Sequence, residues 1–195
     1  MKIIADEWMS LDGVVQSPSG PDEDPSGGFG HGGWHMRYFD TVSQHWVVKG
    51  VQSAAAFLFG RRTYETFAAH WPTAGPAEQP LAGPLNSRPK YVASRTLTGP
   101  LGWHNARLLD GDAVGAVRDL AAHGSGELHL IGSAELTRTL IAAGLVDELR
   151  LMIDPVLLGG GKTLFPDDGA LRTWRLVENV PTATGAMLAT YARAA

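Results

Sequence analysis

Apolar positions along this chain recur every second residue in some stretches and every three or four in others. Lys2 to Met9 has strand character and is turned by Ser10-Leu11-Asp12-Gly13, after which Val14-Val15 are apolar again. Thr41 to Ser53 reads as a helix, and Ala54 to Phe59 as a small apolar strand stopping at Gly60. An amphipathic helix carrying Tyr64, Phe67, Ala68 and Trp71 follows and is ended by Pro72. Thr73 to Pro89 reads as a Pro/Gly/Ala loop, Lys90 to Ala93 as a third strand, Leu97 to His104 as a turn region and Ala106 to Leu109 as a minor strand. Ala113 to His123 repeats the helical spacing with Val114, Val117, Leu120 and Ala121. Leu128, Leu130 and Ile131 then form an apolar run that breaks at Gly132-Ser133. The next helix carries Leu136, Leu140 and Ile141, with Ser133 as its expected N-cap and Gly144 as its stop. Leu149, Leu151 and Ile153 alternate as a strand. Thr173 to Val180 and Ala186 to Ala192, joined by five residues, predict an antiparallel hairpin at a sheet edge. The pattern implies one α/β domain over residues 1–195, a mostly parallel central sheet of about eight strands flanked by helices and finished by that hairpin.

Composition narrows the class. With 44% hydrophobic residues in 195, the chain is long and apolar enough to bury a core. A formal charge of −4 argues against a nucleic-acid partner, which calls for a basic face. The absence of cysteine excludes disulfides, thiol catalysis and thiolate metal sites. No apolar run reaches the roughly 20 residues of a membrane span, and Met1 to Trp8, with Asp6 and Glu7, is unlike a signal peptide. The expectation is a cytoplasmic protein.

Several stretches carry candidate chemistry. In the first strand Asp6 and Glu7 point to opposite faces; Asp6 is expected at an exposed strand end, and Glu7, beside Trp8, is a candidate to face a pocket. Ser17 to Gly33 is a long loop rich in Pro, Gly and acid, of the kind that borders binding sites. His31 and His35 are separated by glycines and lack a third ligand, so no metal site is expected. Trp34, Tyr38 and Phe39, leading into Asp40, are either core or a stacking wall for a flat ring. Gly60-Arg61-Arg62-Thr63 opens a helix with two guanidinium groups, opposing the helix dipole unless an anion lies there. Ser94-Arg95-Thr96 and Ile131-Gly132-Ser133 likewise follow strands. Gly159-Gly160-Gly161-Lys162-Thr163 is not a phosphate-binding P-loop, because Val156 replaces the required glycine and Pro166 forbids the following helix. Its glycines are expected to let backbone approach a helix end or a ligand.

Those segments, FLFGRRTYE, YVASRTL, LHLIGSAEL and DELRLMIDPVLLGGGKTLF, with Ser10-Leu11-Asp12-Gly13 ahead of them, resemble the dihydrofolate reductase superfamily in order and spacing. Within it, the likeness is to the reductase domain of the riboflavin-biosynthesis deaminase-reductase and to stand-alone bacterial proteins built on it, over nearly the whole chain. The resemblance implies a dihydrofolate-reductase-like fold and NADPH as cofactor. Gly60, Arg61, Arg62, Thr63, Ser94, Arg95 and Thr96 would hold its pyrophosphate and 2′-phosphate, with Ile131, Gly132, Ser133 and Leu136 at the later helix. It implies hydride delivery to a C=N or C=O bond of a small heterocycle, pterin- or pyrimidine-like. Asp40 and Glu7 are the acid candidates, Trp34, Tyr38 and Asp40 the substrate-side candidates, and a homodimer is compatible with it. The chain departs from the glycine pair of dihydrofolate reductases, having Gly132-Ser133 there. The competing class is a non-catalytic nucleotide-binding or regulatory module on the same fold.

Overall fold

A computed structural model describes residues 1–194. Eight strands form one sheet: β1 (Lys2–Ser10), β2 (Ala56–Gly60), β3 (Lys90–Ala93), β4 (Ala106–Leu108), β5 (Glu127–Ile131), β6 (Glu148–Asp154), β7 (Trp174–Pro181) and β8 (Met187–Arg193). Their order is β4-β3-β2-β5-β1-β6-β8-β7. Every pairing from β4 to β6 is parallel, and β8 pairs antiparallel with both β6 and β7. The expected mostly parallel sheet with a terminal hairpin is therefore present.

Strand alternation sorts the core into two faces. Ile3, Ala5 and Met9 of β1 join Leu128 and Leu130 beneath α4 (Ala113–His123) and α5 (Ala134–Ala142), which supply Val117, Leu136, Leu140 and Ile141. On the other face Phe57, Phe59, Val92 and Ile131 pack against Val51 of α1 (Thr41–Ser53), Tyr64 of α2 (Arg61–His70) and Leu85 of α3 (Gln79–Ser87). No helix among the described residues is long and apolar enough to cross a membrane.

Two expectations about elements are corrected. The segment read as a loop from Thr73 to Pro89 contains α3, which keeps Pro84 in its interior. Ala82 and Leu85 on its inner side are fully covered, so burial against the sheet offsets the hydrogen bond that proline cannot make. The buried Lys90 ammonium also donates to the carbonyls of Leu85 (2.7 Å) and Arg88 (2.9 Å), capping the helix end. Second, Ser133 does not cap α5 with its side chain: its backbone is left-handed (φ 64°) and its hydroxyl is used elsewhere. The glycine run after β6 approaches the chain rather than a helix end. Lys162 and Leu164 pair with Val15 and Gly13, and a Cβ on Gly161 would lie 2.8 Å from Val14 and 2.9 Å from Phe29.

Candidate active site

Parallel strands end on the same edge of a sheet, and β3, β2 and β5 are neighbours there. Gly60 pairs with Ala93 and Leu58 with Leu130, so the three segments Gly60–Thr63, Ser94–Thr96 and Ile131–Ser133 meet at one edge. They are joined by hydrogen bonds. The Ser133 hydroxyl accepts from the Gly60 amide (2.9 Å) and donates to the Thr63 hydroxyl (2.8 Å). The Gly132 amide donates to the Asp6 carbonyl (3.0 Å), tying this turn to β1. Gly132 has φ +58°, a torsion that glycine adopts freely, and Ser133 follows in the same region. The Ser94 hydroxyl accepts from the amides of Thr96 (3.1 Å) and Leu97 (2.9 Å), shaping the turn after β3. Leu136 points into the core, so its side chain is not part of this surface.

Three guanidinium groups border the edge, each beside a carboxylate. Arg61 pairs with Glu65 (2.8 Å), Arg62 with Asp24 of the long loop (3.0 Å), and Arg95, almost fully exposed, with Glu135 (3.8 Å). Lys162 reaches the same Asp24 oxygen as Arg62. Burial alone would raise the Asp24 carboxyl, but its bonds to Lys162 and Ser26 hold it below the usual range. Surface pairs of this kind contribute little to stability, so the guanidinium groups remain available to a stronger anion. An open groove of 460 Å³ runs between Glu23–Ser26 and the Arg62–Glu65–Thr66 side of α2.

Behind this edge, on the α1 face, lies a smaller cavity of 130 Å³. Asp6, Glu7 and Trp8 of β1 border it with Ile131, and its walls are Phe39, Trp46, Val47, Val51, Phe67, Trp71, Leu81 and Leu85. It is aromatic and apolar with a few polar groups, the usual make-up of a small-molecule site. Trp8 borders it with an indole Nε1 that is buried without an acceptor among the described residues.

The acids fall differently from expectation. Asp6, expected at an exposed strand end, is largely covered: Arg150 Nη1 donates to its Oδ1 (2.6 Å) and His129 Nδ1 lies 2.7 Å from its Oδ2. Glu7 is buried on the opposite side of the strand against Thr137 (2.8 Å). Burial pushes its carboxyl up to about 8, so it is a neutral acid at pH 7. Since Thr137 also donates to the Gly132 carbonyl (3.1 Å), a protonated Glu7 completes a chain of donors ending on the turn after β5. Asp40 is the N-cap of α1, accepting from the Ser43 amide (2.9 Å) and from the Ala183 amide (3.2 Å) of the hairpin. Those bonds, the Ser43 amide first, hold its carboxyl below the usual range. It does not border the cavity, and neither do Trp34 and Tyr38. The Trp34 indole donates to the Gln16 carbonyl (2.8 Å), and the Tyr38 carbonyl accepts from Thr184 (2.6 Å). His35 pairs with the fully buried Asp154 (2.8 Å) and takes no part in a metal cluster, of which there is none among the described residues. The sequence signal for these buried groups was a charged or titratable residue inside each of three apolar strands, at Asp6, His129 and Arg150.

Comparison with known proteins agrees with this architecture. A pyrimidine reductase-like protein of Corynebacterium diphtheriae superposes with a TM-score of 0.70 over 100% of this chain and 92% of its own, at 12% identity. The dihydrofolate reductase of Enterococcus faecalis, solved with NADP(H) and RAB-propyl, does so with a TM-score of 0.60 over 98% and 96%, at 17% identity. At such identities they show a shared fold. YyaP of Bacillus subtilis (strain 168), an uncharacterized protein, is 31% identical over 172 residues, 85% of this chain and 81% of that one. The RibD C-terminal domain profile matches residues 1–188, so the chain belongs to the RibD C-terminal domain family, of reductase type and dihydrofolate-reductase-like fold.

Proposed function

We propose that this protein is an NADPH-dependent reductase that delivers hydride to a C=N or C=O bond of a small heterocyclic, pterin- or pyrimidine-like substrate. The observation that carries this reading is the meeting of three strand ends at one sheet edge, with Arg61, Arg62 and Arg95 around the left-handed turn before α5. Bound NADPH would supply the hydride. The amides at the start of α5, the Ser133 and Thr63 hydroxyls and the three guanidinium groups suit its phosphates, since arginine stays charged and grips phosphate through paired donors. The Gly60 backbone lies against Ser133, whose hydroxyl its amide donates to, with a Cβ at Gly60 coming to 3.4 Å of that hydroxyl. The aromatic cavity beside β1 suits a flat ring and excludes water from it. Glu7, held neutral by burial, turns its carboxyl to the other side of β1 from the cavity, so any proton it gives would pass by way of Thr137 towards the turn after β5. Asp40, with Trp34 and Tyr38, supports the substrate side from outside the cavity by holding α1, the long loop and the hairpin together.

Titration with NADPH and NADH tests the cofactor. NADPH should bind tighter by roughly tenfold to a hundredfold, corresponding to about 1.5–3 kcal/mol for charge-assisted phosphate contacts. Arg62→Gln should remove most of that preference, and equal affinities for the two cofactors would sink the 2′-phosphate assignment. Following NADPH absorbance with pterin and pyrimidine substrates then separates a reductase from a module that only binds nucleotide.

A further inference from the structure

Three central strands place polar groups in contact on the α1 face of the sheet: Asp6, His129 and Arg150. His129 bridges two carboxylates. Its Nδ1 is 2.7 Å from Asp6 Oδ2, and its Nε2 is 3.3 Å from Glu127 Oε2 and 3.4 Å from the Ser53 hydroxyl. Asp6 borders the 130 Å³ cavity. Glu127 is the first residue of β5, at the edge of the sheet away from the candidate cofactor turn, and its side chain is 33% exposed. A continuous line of polar atoms therefore runs from the cavity, through the body of the sheet, to solvent.

The charges on that line nearly cancel. Asp6 and Glu127 are acidic, and Arg150, which also donates to the Trp46 carbonyl (2.8 Å), supplies one positive charge. An imidazolium at His129 brings the cluster to neutrality, and a neutral imidazole leaves it one unit negative. Burial disfavours the imidazolium, but Asp6 and Glu127 outweigh it and raise the proton affinity of the ring. Around it, β2 presents Phe57 and α1 presents Ser53, while Lys2 of β1 is engaged by Glu148 of β6 (2.6 Å).

We propose that Asp6, His129 and Glu127 couple the cavity to solvent, so that a cationic ring arriving beside Asp6 expels the proton held on His129 outward along a path through Glu127. The inference rests on the reading of the cavity as the substrate site. Its volume is close to the about 150 Å³ that accommodates a benzene ring in a protein interior. Trp8, Phe39 and Phe67 offer aromatic faces that favour a cation. As the cation arrives, His129 gives its Nε2 proton to the Glu127 carboxylate and thence to water, while Nδ1 keeps its hydrogen and goes on donating to Asp6. One positive charge enters and one leaves, and no covalent bond of the ligand changes. When the ring departs or loses its charge, the path runs backwards and His129 is reloaded.

Benzamidine is a suitable probe, because its amidinium stays charged across the working range. Calorimetry in two buffers of different ionisation enthalpy counts protons exchanged on binding. The wild type should release about one proton per benzamidine near pH 6, with affinity rising by up to about tenfold per pH unit until His129 is neutral. His129→Gln should bind with no proton release and with a flat pH dependence, and Asp6→Asn should lose at least about tenfold in affinity. Undiminished proton release in His129→Gln, wild-type binding without release, or no wild-type binding would each overturn the path. Should His129→Gln fail to fold, Glu127→Gln at the partly exposed end must move the midpoint of the pH dependence to lower pH, and an unmoved midpoint is equally fatal. NADPH titration of the same protein keeps the readings apart. Proton-linked benzamidine binding without NADPH binding removes the reductase and keeps the path, and the reverse removes the path alone.

Discussion

Gly50 lies inside α1, where a glycine ordinarily weakens a helix by about 1 kcal/mol relative to alanine. Its reason is Arg150: a Cβ on Gly50 would come within 1.6 Å of Nη1 of that buried guanidinium. Alanine is therefore expected to invert its usual effect here. Gly50→Ala should displace Arg150 from Asp6 and destabilise the protein by about 3–5 kcal/mol, the range for breaking a buried ion pair, as read from urea unfolding. Asp40 gives the opposite contrast. As a cap, it should tolerate Asp40→Asn with thermal stability unchanged, while Asp40→Ala lowers the melting temperature. A large loss of turnover in a fully stable Asp40→Asn protein would restore it to the substrate site. Its folded carboxyl is held low, so its stabilising bonds persist above the ordinary carboxylate range and are lost as pH falls through the lowered value.

At the scale of elements, α1, α4 and α5 were readable because each pairs a clear period with a cap or a stop: Asp40 and Asp112 accept from the Ser43 and Gly115 amides (both 2.9 Å), and Gly144 beyond α5 turns at φ +66°. The hidden element was α3, since Pro80, Gly83 and Pro84 outweigh Leu81 and Leu85 in any local reading. Its helicity depends on packing that no local pattern reports, against α1 and the aromatic cluster of Phe57 and Phe59, and on the Lys90 ammonium five residues beyond Leu85. Lys90→Met should therefore cost about 2–4 kcal/mol and expose α3 first, visible as faster hydrogen exchange across Leu81 to Ser87. Uniform loss of protection along the chain would argue against that role. The candidate site divided in the same way. The turns after β2, β3 and β5 are contiguous motifs whose meeting at one edge was legible, whereas the cavity is assembled from Asp6, Phe39, Trp46, Phe67 and Leu85, which only the tertiary fold brings together.

Over the whole molecule, buried Glu7 and His129 tilt stability towards acid, while the buried Lys90 ammonium, pushed down to about 8, acts in the opposite sense only at higher pH. Glu7 has a folded pKa of about 8 against 4.5 for the free group, so the folded state binds its proton more tightly. That contribution is complete below pH 4.5 and is lost as pH rises to about 8. His129, also raised, acts in the same sense, losing its contribution as pH climbs through its folded value. Glu7→Gln should be nearly neutral at pH 5 and stabilising by roughly 2–4 kcal/mol at pH 8, flattening the melting-temperature profile. An unchanged slope would place the ionised form of Glu7 in a better-solvated setting. The notch that Gly50 provides for Arg150 also carries an evolutionary consequence. Residues 50 and 150 lie on α1 and β6, far apart in the chain, yet residue 50 cannot grow while Arg150 keeps its place. Homologues should therefore inherit the two positions as a linked pair: arginine in the strand with glycine in the helix, and larger helix residues only where the strand residue has shrunk.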